Sequence, residues 1–585
     1  MAENQRAIDA RATEATPLLQ NGKDGQNQHY NLAGLSQTTF WILCLSMWIA
    51  AFLVAFDGTV VAALIGPISS SFNATNEASW LGTSYLLAVC CVSPIYGRLC
   101  NVIGRQASML IAVVVFAIGN ILCAVAPTMN ILIAARFIAG LGGGGLQVTS
   151  STITSDIVPL SYRGLFQVSV LCCLTVPRLI LSLQGYANIT FGIGTGLGAP
   201  IGGFVNDWLG WRWAFWLQAP TFVVAFIAVF FFVRYDVPSS KRATQTPLEM
   251  LKRIDFAGCL LLFGWLGCAI LVLSMKTEAT DDSLSWTSPR ILGLIITSVI
   301  LFLVFLVVEF KLVKEPVLPI DLLGRRTPIA CFVNNFFISI VIFGTLYTVP
   351  LYFSAVLQMS STETGLRFMP APLIGICTSI GVGYLVKVYG KYKWLCFLGG
   401  LDGILGAFLI TLWRIDSPNW QTWTFWQVSA PSGSAVTTLT VVALIADVGR
   451  EGIAMATSLS YVARMTGQVV GVSMSGAVIQ TVLARDLPRR ITGPGSIEII
   501  SSIRKSSAAI KELSTDLQFA ARMSYQKATH TVFVIQVVMC VLYTLAGLGI
   551  EEVDMKAINE TAPPSRDEEA EQGLPSSDGP FNGRQ

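Results

Sequence analysis

The sequence predicts an all-α polytopic membrane protein built as two six-helix bundles with two bridging transmembrane helices, and three observations carry that prediction. Apolar residues make up 53% of the 585 positions and charged residues only 12%, where soluble domains carry about 25% charge. The apolar residues fall in blocks of about 20, roughly what a helix needs to cross ~30 Å of hydrocarbon. Between the blocks, Lys and Arg are abundant in alternate short loops and scarce in the others, as a fixed orientation requires.

Taken in order, residues 1–39 form a polar N-terminal tail expected on the cytoplasmic side. The first apolar run is long enough to span by itself, so no cleavable signal peptide is expected. Spans near 41–64, 81–96, 107–126, 130–150, 186–205 and 214–233 make the first bundle, residues 40–233. Residues 234–327 hold a basic connector (Arg234, Lys241, Arg242, Lys252, Arg253) and two bridging spans near 256–274 and 291–310. The second bundle, 328–550, has spans near 329–353, 368–387, 394–413, 425–446, 454–482 and 530–550, with a long loop at 485–528. The acidic tail 551–585 then lies in the cytoplasm.

The loops expected inside carry Arg98, Arg105, the basic connector, Lys311, Lys314, Arg325, Arg326, Lys387, Lys391 and Lys393. The short loops opposite offer Arg212, Lys276, Arg367 and Arg414. Arg485 to Lys527 is basic yet falls outside, and long loops obey the rule poorly. Asn73-Ala74-Thr75 is a candidate glycosylation sequon on that outer or lumenal side.

Several function classes drop out. A net charge of +3 with basic residues scattered among loops does not build a nucleic-acid face. The 13 cysteines lack metal-type spacing and read as small buried hydrophobes. No metal cluster, phosphate loop or nucleophile and base arrangement is visible, and His29 and His530 form no site. Neither a metal, a cofactor nor an enzyme activity is expected.

Charged groups within the spans are expensive, at least ~2.5–3.5 kcal/mol on insertion scales, and mark an interior path. Asp57 qualifies, with Arg136 in span four as its opposing charge. A carboxyl at that depth can exchange a proton, which makes Asp57 the leading proton-coupling candidate; the alternative is that it only orders the outer end of span one. Asp402 in span eleven is a second candidate, against a structural hydrogen-bonding role. Arg464 repeats the intramembrane arginine in the second half, and Asn334 and Asn335 add polar groups to span nine, in substrate contact or in packing.

Gly97-Arg98-Leu99-Cys100-Asn101-Val102-Ile103-Gly104-Arg105 resembles the signature loop of the major facilitator superfamily, with Asn101 where the family usually has aspartate. In that family the loop arginine binds helix ends or acids in one transport state; Asn101 weakens the charge-based latch while still able to cap a helix. An echo recurs as Gly383-Tyr384-Leu385 with Gly390-Lys391, as repeated halves produce. Gly185, Gly194, Gly198, Pro200, Gly202 and Gly203 resemble the glycine-rich antiporter pattern of span five, the proline one place late. Gly194, Gly198 and Gly202 form a smooth face for close helix approach. Phe56 to Ala63, Trp80 to Leu87 and Trp211 to Trp216 resemble fourteen-span drug:proton antiporters. The resemblance covers about residues 40–550 and implies the major facilitator fold, a proton-coupled small-molecule antiporter embedded in a lipid bilayer.

Thr152 to Pro159 with Arg163-Gly164, and Ile491 to Gly495, look like the fungal vacuolar basic amino-acid transporters. Glu14 with Leu18-Leu19 matches an acidic dileucine sorting signal, whose reader would be a sorting adaptor. The resemblance therefore implies import of Lys, Arg and His into the vacuole against protons; a plasma-membrane multidrug:proton antiporter is the alternative, and a transport-inactive sensor the third reading. Val168 to Gln184 interrupts a link the family keeps short and reads as a retained intron or gene-model error. If real, it is expected either to sit as an apolar interfacial helix or to distort the entrance to span five.

Overall fold

The computed structural model describes residues 37–157, 182–233, 255–278, 288–311, 320–448 and 453–553. The dileucine residues Glu14, Leu18 and Leu19, His29 and all of both terminal tails except residues 37–39 and 551–553 lie outside the described residues. So does the suspected insertion, except that Ser182–Gln184 form the first turn of a helix.

The described elements are all helical. The first half comprises α1 (Gln37–Ala63), α2 (Trp80–Val102), α3 (Arg105–Val125), α4 (Met129–Ile157), α5 (Ser182–Leu209) and α6 (Ala219–Phe232). Then come α7 (Phe256–Glu278) and α8 (Pro289–Lys311). The second half comprises α9 (Arg326–Ala355), α10 (Pro370–Tyr389), α11 (Lys393–Thr411), α12 (Ala430–Val448), α13 (Ile453–Arg490) and α14 (Thr515–Leu548). Twelve of the helical stretches are long and apolar enough to cross a membrane. The other two of the expected set are present as α5, whose glycines dilute its hydropathy, and α7, whose apolar part is Ala257–Leu273.

Below, the end of the bundle carrying residues 64–79 is termed outer and the end carrying Gly104 inner. Within the first half α1 packs on α5, and α4 on α2 and α3; within the second, α9 packs on α13 and α14. The bridging pair is asymmetric: α8 packs on α7, which touches α2 and α13, one helix from each half. The best span of α8 has the highest hydropathy, 3.2, yet is only 11% buried. In water that would be paradoxical, but a helix facing lipid tails keeps its apolar side chains outward. Exposed aromatics sit near the helix ends, Trp208, Trp213 and Trp420 at the outer end and Tyr389 and Trp394 at the inner, where amphipathic rings favour the headgroup layer.

Buried polar bonds fix the second half. Asn334 Nδ2 donates to Tyr543 O at 2.7 Å, tying α9 to α14, and Asn335 Nδ2 donates to Thr440 Oγ1 at 3.1 Å, tying α9 to α12. Thr345 donates to Gln536 Oε1 at 2.8 Å, a second tie to α14. At the inner end the Tyr392 hydroxyl donates to Glu551 O at 2.8 Å, and burial pushes that phenol up to about 12. The eleven cysteines among the described residues are free thiols, ten of them wholly or partly buried as expected, with Cys377 exposed.

Candidate functional site

A run of hydrogen bonds joins the halves at the outer end. Ser70 and Ser507 hydroxyls meet at 3.1 Å, Thr83 and Ser473 at 3.2 Å, and Gln480 Nε2 donates to Thr75 O at 3.3 Å. Asp207, at the end of α5, reaches the short helix Ser361–Phe368 that precedes α10. Its Oδ2 accepts from Thr362 N at 2.8 Å and from Thr362 Oγ1 at 2.6 Å, and its Oδ1 from Ser361 N at 3.3 Å. A helix start leaves its first N–H groups without intrahelical partners; Asp207 satisfies two of them from across the interface.

The glycines of α5 make this approach possible. A Cβ at Gly194 would lie 2.7 Å from Phe52 O, one at Gly198 2.6 Å from Phe56 O, and one at Gly202 3.2 Å from Val60, all on α1. Gly203 faces the opposite half instead: a Cβ there would overlap the Ser361 carbonyl, and one at Gly365 would overlap Ala199 and lie 2.8 Å from Pro200 Cα. Helix α5 is thus smooth on two sides, toward α1 and toward the other half.

Beneath the outer contacts lies a buried ion pair. Arg136 Nη1 on α4 donates to Asp57 Oδ2 on α1 at 2.8 Å, and both side chains have 0% exposure. Arg136 Nε donates to Leu81 O at 3.3 Å, and its guanidinium lies 4.4 Å from the centre of the Tyr85 ring, a cation–π placement. Asp57 Oδ1, Arg136 Nη2 and the Tyr85 hydroxyl are buried without hydrogen-bond partners. Buried polar atoms are ordinarily satisfied, so three orphans beside one charge pair set this site apart from the packing around it.

The remaining expected residues fall elsewhere. Asn334 and Asn335 are engaged in the packing described above, away from the pair. Asp402 is half-buried on α11, and its Oδ2 has no partner; Arg464 stacks on Tyr461 of its own helix at 4.7 Å. No hydrogen bond or ion pair among the described residues joins either to Asp57. Asn73 is exposed in the outer loop with φ 51°.

The inner loop ties elements of the first half together. Gly104 has φ 96° and Gly390 φ 74°, left-handed values that favour glycine, so the sequence echo marks the same backbone need in both halves. Arg105 Nε pairs with Asp156 Oδ2 at 2.7 Å and its Nη1 donates to Cys100 O at 3.0 Å; it closes the end of α2 and ties α3 to α4. The Asn101 side chain lies outside what the structure describes, and Gly97 makes only ordinary contact with Val148. Asp156, Asp207 and Tyr85 were not singled out in the sequence, because their partners are distant in the chain.

An all-helical membrane protein whose two halves meet over an interior charge pair is built as a transporter. The chain belongs to the Major Facilitator Superfamily, whose profile matches residues 47–476. It is 32% identical to "Multidrug resistance protein fnx1" of Schizosaccharomyces pombe, over 88% of this chain and 92% of that one. It is 30% identical to "Vacuolar membrane amino acid uptake transporter fnx2" of the same yeast (80% and 76%) and 29% to "Vacuolar basic amino acid transporter 2" of Saccharomyces cerevisiae (77% and 93%). A bacterial homologue of the human lysosomal transporter Spinster shares the fold, with TM-score 0.59 at 14% identity over 88% of this chain and 98% of that one. Family and relatives make the protein a transporter of small molecules in the membrane, not an enzyme.

Proposed function

We propose that the protein is a proton-coupled antiporter that moves basic amino acids (Lys, Arg, His) into the vacuole by alternating access, with Asp57 the group that gains and loses the proton. The observation that carries the reading is the fully buried Asp57–Arg136 pair with one carboxylate oxygen left over. Protonation of Asp57 would release Arg136 and change the balance between states, which is what coupling requires. Asp402 and Arg464 are candidates for the substrate path in the second half, and Asn334 and Asn335 serve it through packing. The vacuolar relatives named above support the amino-acid substrate and the membrane; the dileucine signal, read by a sorting adaptor, supports the route there.

The test is uptake of labelled lysine, arginine and histidine by vacuolar vesicles with and without an imposed pH gradient, for wild type and Asp57→Asn. Saturable, gradient-dependent uptake lost in the variant is expected; coupling unchanged in the variant would reject the proton role. The similarity to a multidrug resistance protein favours a second reading, drug export at the plasma membrane. Gradient-driven movement of dyes or drugs with no amino-acid flux would select it.

A further inference from the structure

We infer that Tyr347, in the second half, is the positioning residue that closes the Asp57–Arg136 pair off from the outer compartment. This rests on the proton-coupling reading above. Tyr347 lies on α9 yet is buried among the apolar residues of the first half, in one cluster with Tyr85, Phe116 and Leu81. Its ring lies over Gly82 on α2: a Cβ there would overlap ring carbon Cζ and come within 2.6 Å of the hydroxyl. Gly82 directly follows Leu81, whose carbonyl accepts from Arg136 Nε. Tyr347 and Tyr85 share that buried cluster, so the second half places one ring beside the stretch of α2 that accepts from Arg136, and the first half places the other against Arg136 itself.

This arrangement ties exposure of the carboxyl to the movement of the halves. Tyr347 rides on α9, which Asn334, Asn335 and Thr345 pin to α12 and α14. When the outer contacts between α2 and the second half part, the ring must leave its notch on Gly82 and uncover Arg136 and Asp57. While they hold, the ring blocks water and protons. An antiporter needs this, since a proton site open to both compartments dissipates the gradient without moving substrate. The seal is the ring and its seat, not the hydroxyl.

The experiment uses full-length protein in proteoliposomes with an interior pH dye, reading proton entry without substrate beside gradient-driven substrate transport. Tyr347→Ala is expected to raise the leak several-fold and lower substrate moved per proton, while Tyr347→Phe stays near wild type. Gly82→Ala, which leaves Tyr347 intact but fills its seat, is expected to leak likewise. Adding Asp57→Asn to Tyr347→Ala should abolish the extra leak. If wild type is coupled and folded Tyr347→Ala and Gly82→Ala are as proton-tight as it is, the inference is overturned and the role of Asp57 stands. If wild type itself shows no gradient-driven transport, the proton-coupling reading falls and the inference with it.

Discussion

Arg136 Nη1 and Asp57 Oδ2 lie 2.8 Å apart with neither side chain exposed, so among the described residues each is the other's only ionic partner. Removing one partner of such a pair strands a buried charge, at about 3–5 kcal/mol. Asp57→Asn alone is therefore expected to melt lower in thermal unfolding of the detergent-purified protein. Asp57→Asn combined with Arg136→Gln removes both charges and should recover most of the loss, still without gradient-driven uptake. Recovery of uptake as well would show that the pair serves packing alone.

Asp207 supplies a cap that joins the two halves at the outer end. Loss of a cap costs about 1 kcal/mol, roughly fivefold in a two-state population. Asp207→Ala is expected to raise the labelling rate of a Ser70→Cys reporter, set beside Ser507, with a membrane-impermeant thiol reagent. An unchanged rate would mean that the cap does not bias the states.

The glycine face of α5 gives a graded series. At Gly198 a Cβ meets the backbone carbonyl of Phe56 at 2.6 Å, whereas at Gly202 its nearest neighbours are Val60 methyl groups at 3.2 and 3.3 Å. Overpacking costs about 1–3 kcal/mol, so Gly198→Ala should lower the melting temperature clearly and Gly202→Ala little. Gly293 on lipid-facing α8 has nothing within 4 Å of a Cβ, and Gly293→Ala should be neutral or mildly stabilising. A reversed order would contradict the packing of α5 on α1.

Arg105 and Asp156 should behave as one unit. Arg105→Ala, Asp156→Ala and the double variant form a cycle in which melting temperature and transport rate are read together. The double variant is expected to lose little more than Arg105→Ala, since contacting groups are non-additive. Strict additivity would mean that the 2.7 Å contact contributes nothing.

Helix α5 runs from Ser182, within the suspected insertion, without needing anything before Gly185 for its glycine contacts. Mature message is expected to lack the codons for residues 168–184, and a chain without them to keep transport. Transcript reads crossing the segment uninterrupted would remove the idea.

The helices were legible because hydrocarbon enforces a length and a composition at once. Even α5, whose glycines lower its hydropathy, could be placed from its flanks. The Asp57–Arg136 pair was legible for the same reason, since a charge in a span needs an opposite one. Asn334 and Asn335 were legible as polar residues but not in role, which depends on where Tyr543 and Thr440 arrive. Asp156, Asp207 and Tyr347 carry no local mark. An acid at a helix end and an aromatic in a span are ordinary until the fold sets them against Arg105, a helix start and Gly82.

The Asn334, Asn335 and Thr345 ties make α9 move together with α12 and α14. Its 30 residues extend ~45 Å at ~1.5 Å per residue, so a tilt of about ten degrees around its middle swings each tip by roughly 4 Å. A rigid tilt of that size makes any shift at one mouth of the bundle an opposite shift at the other.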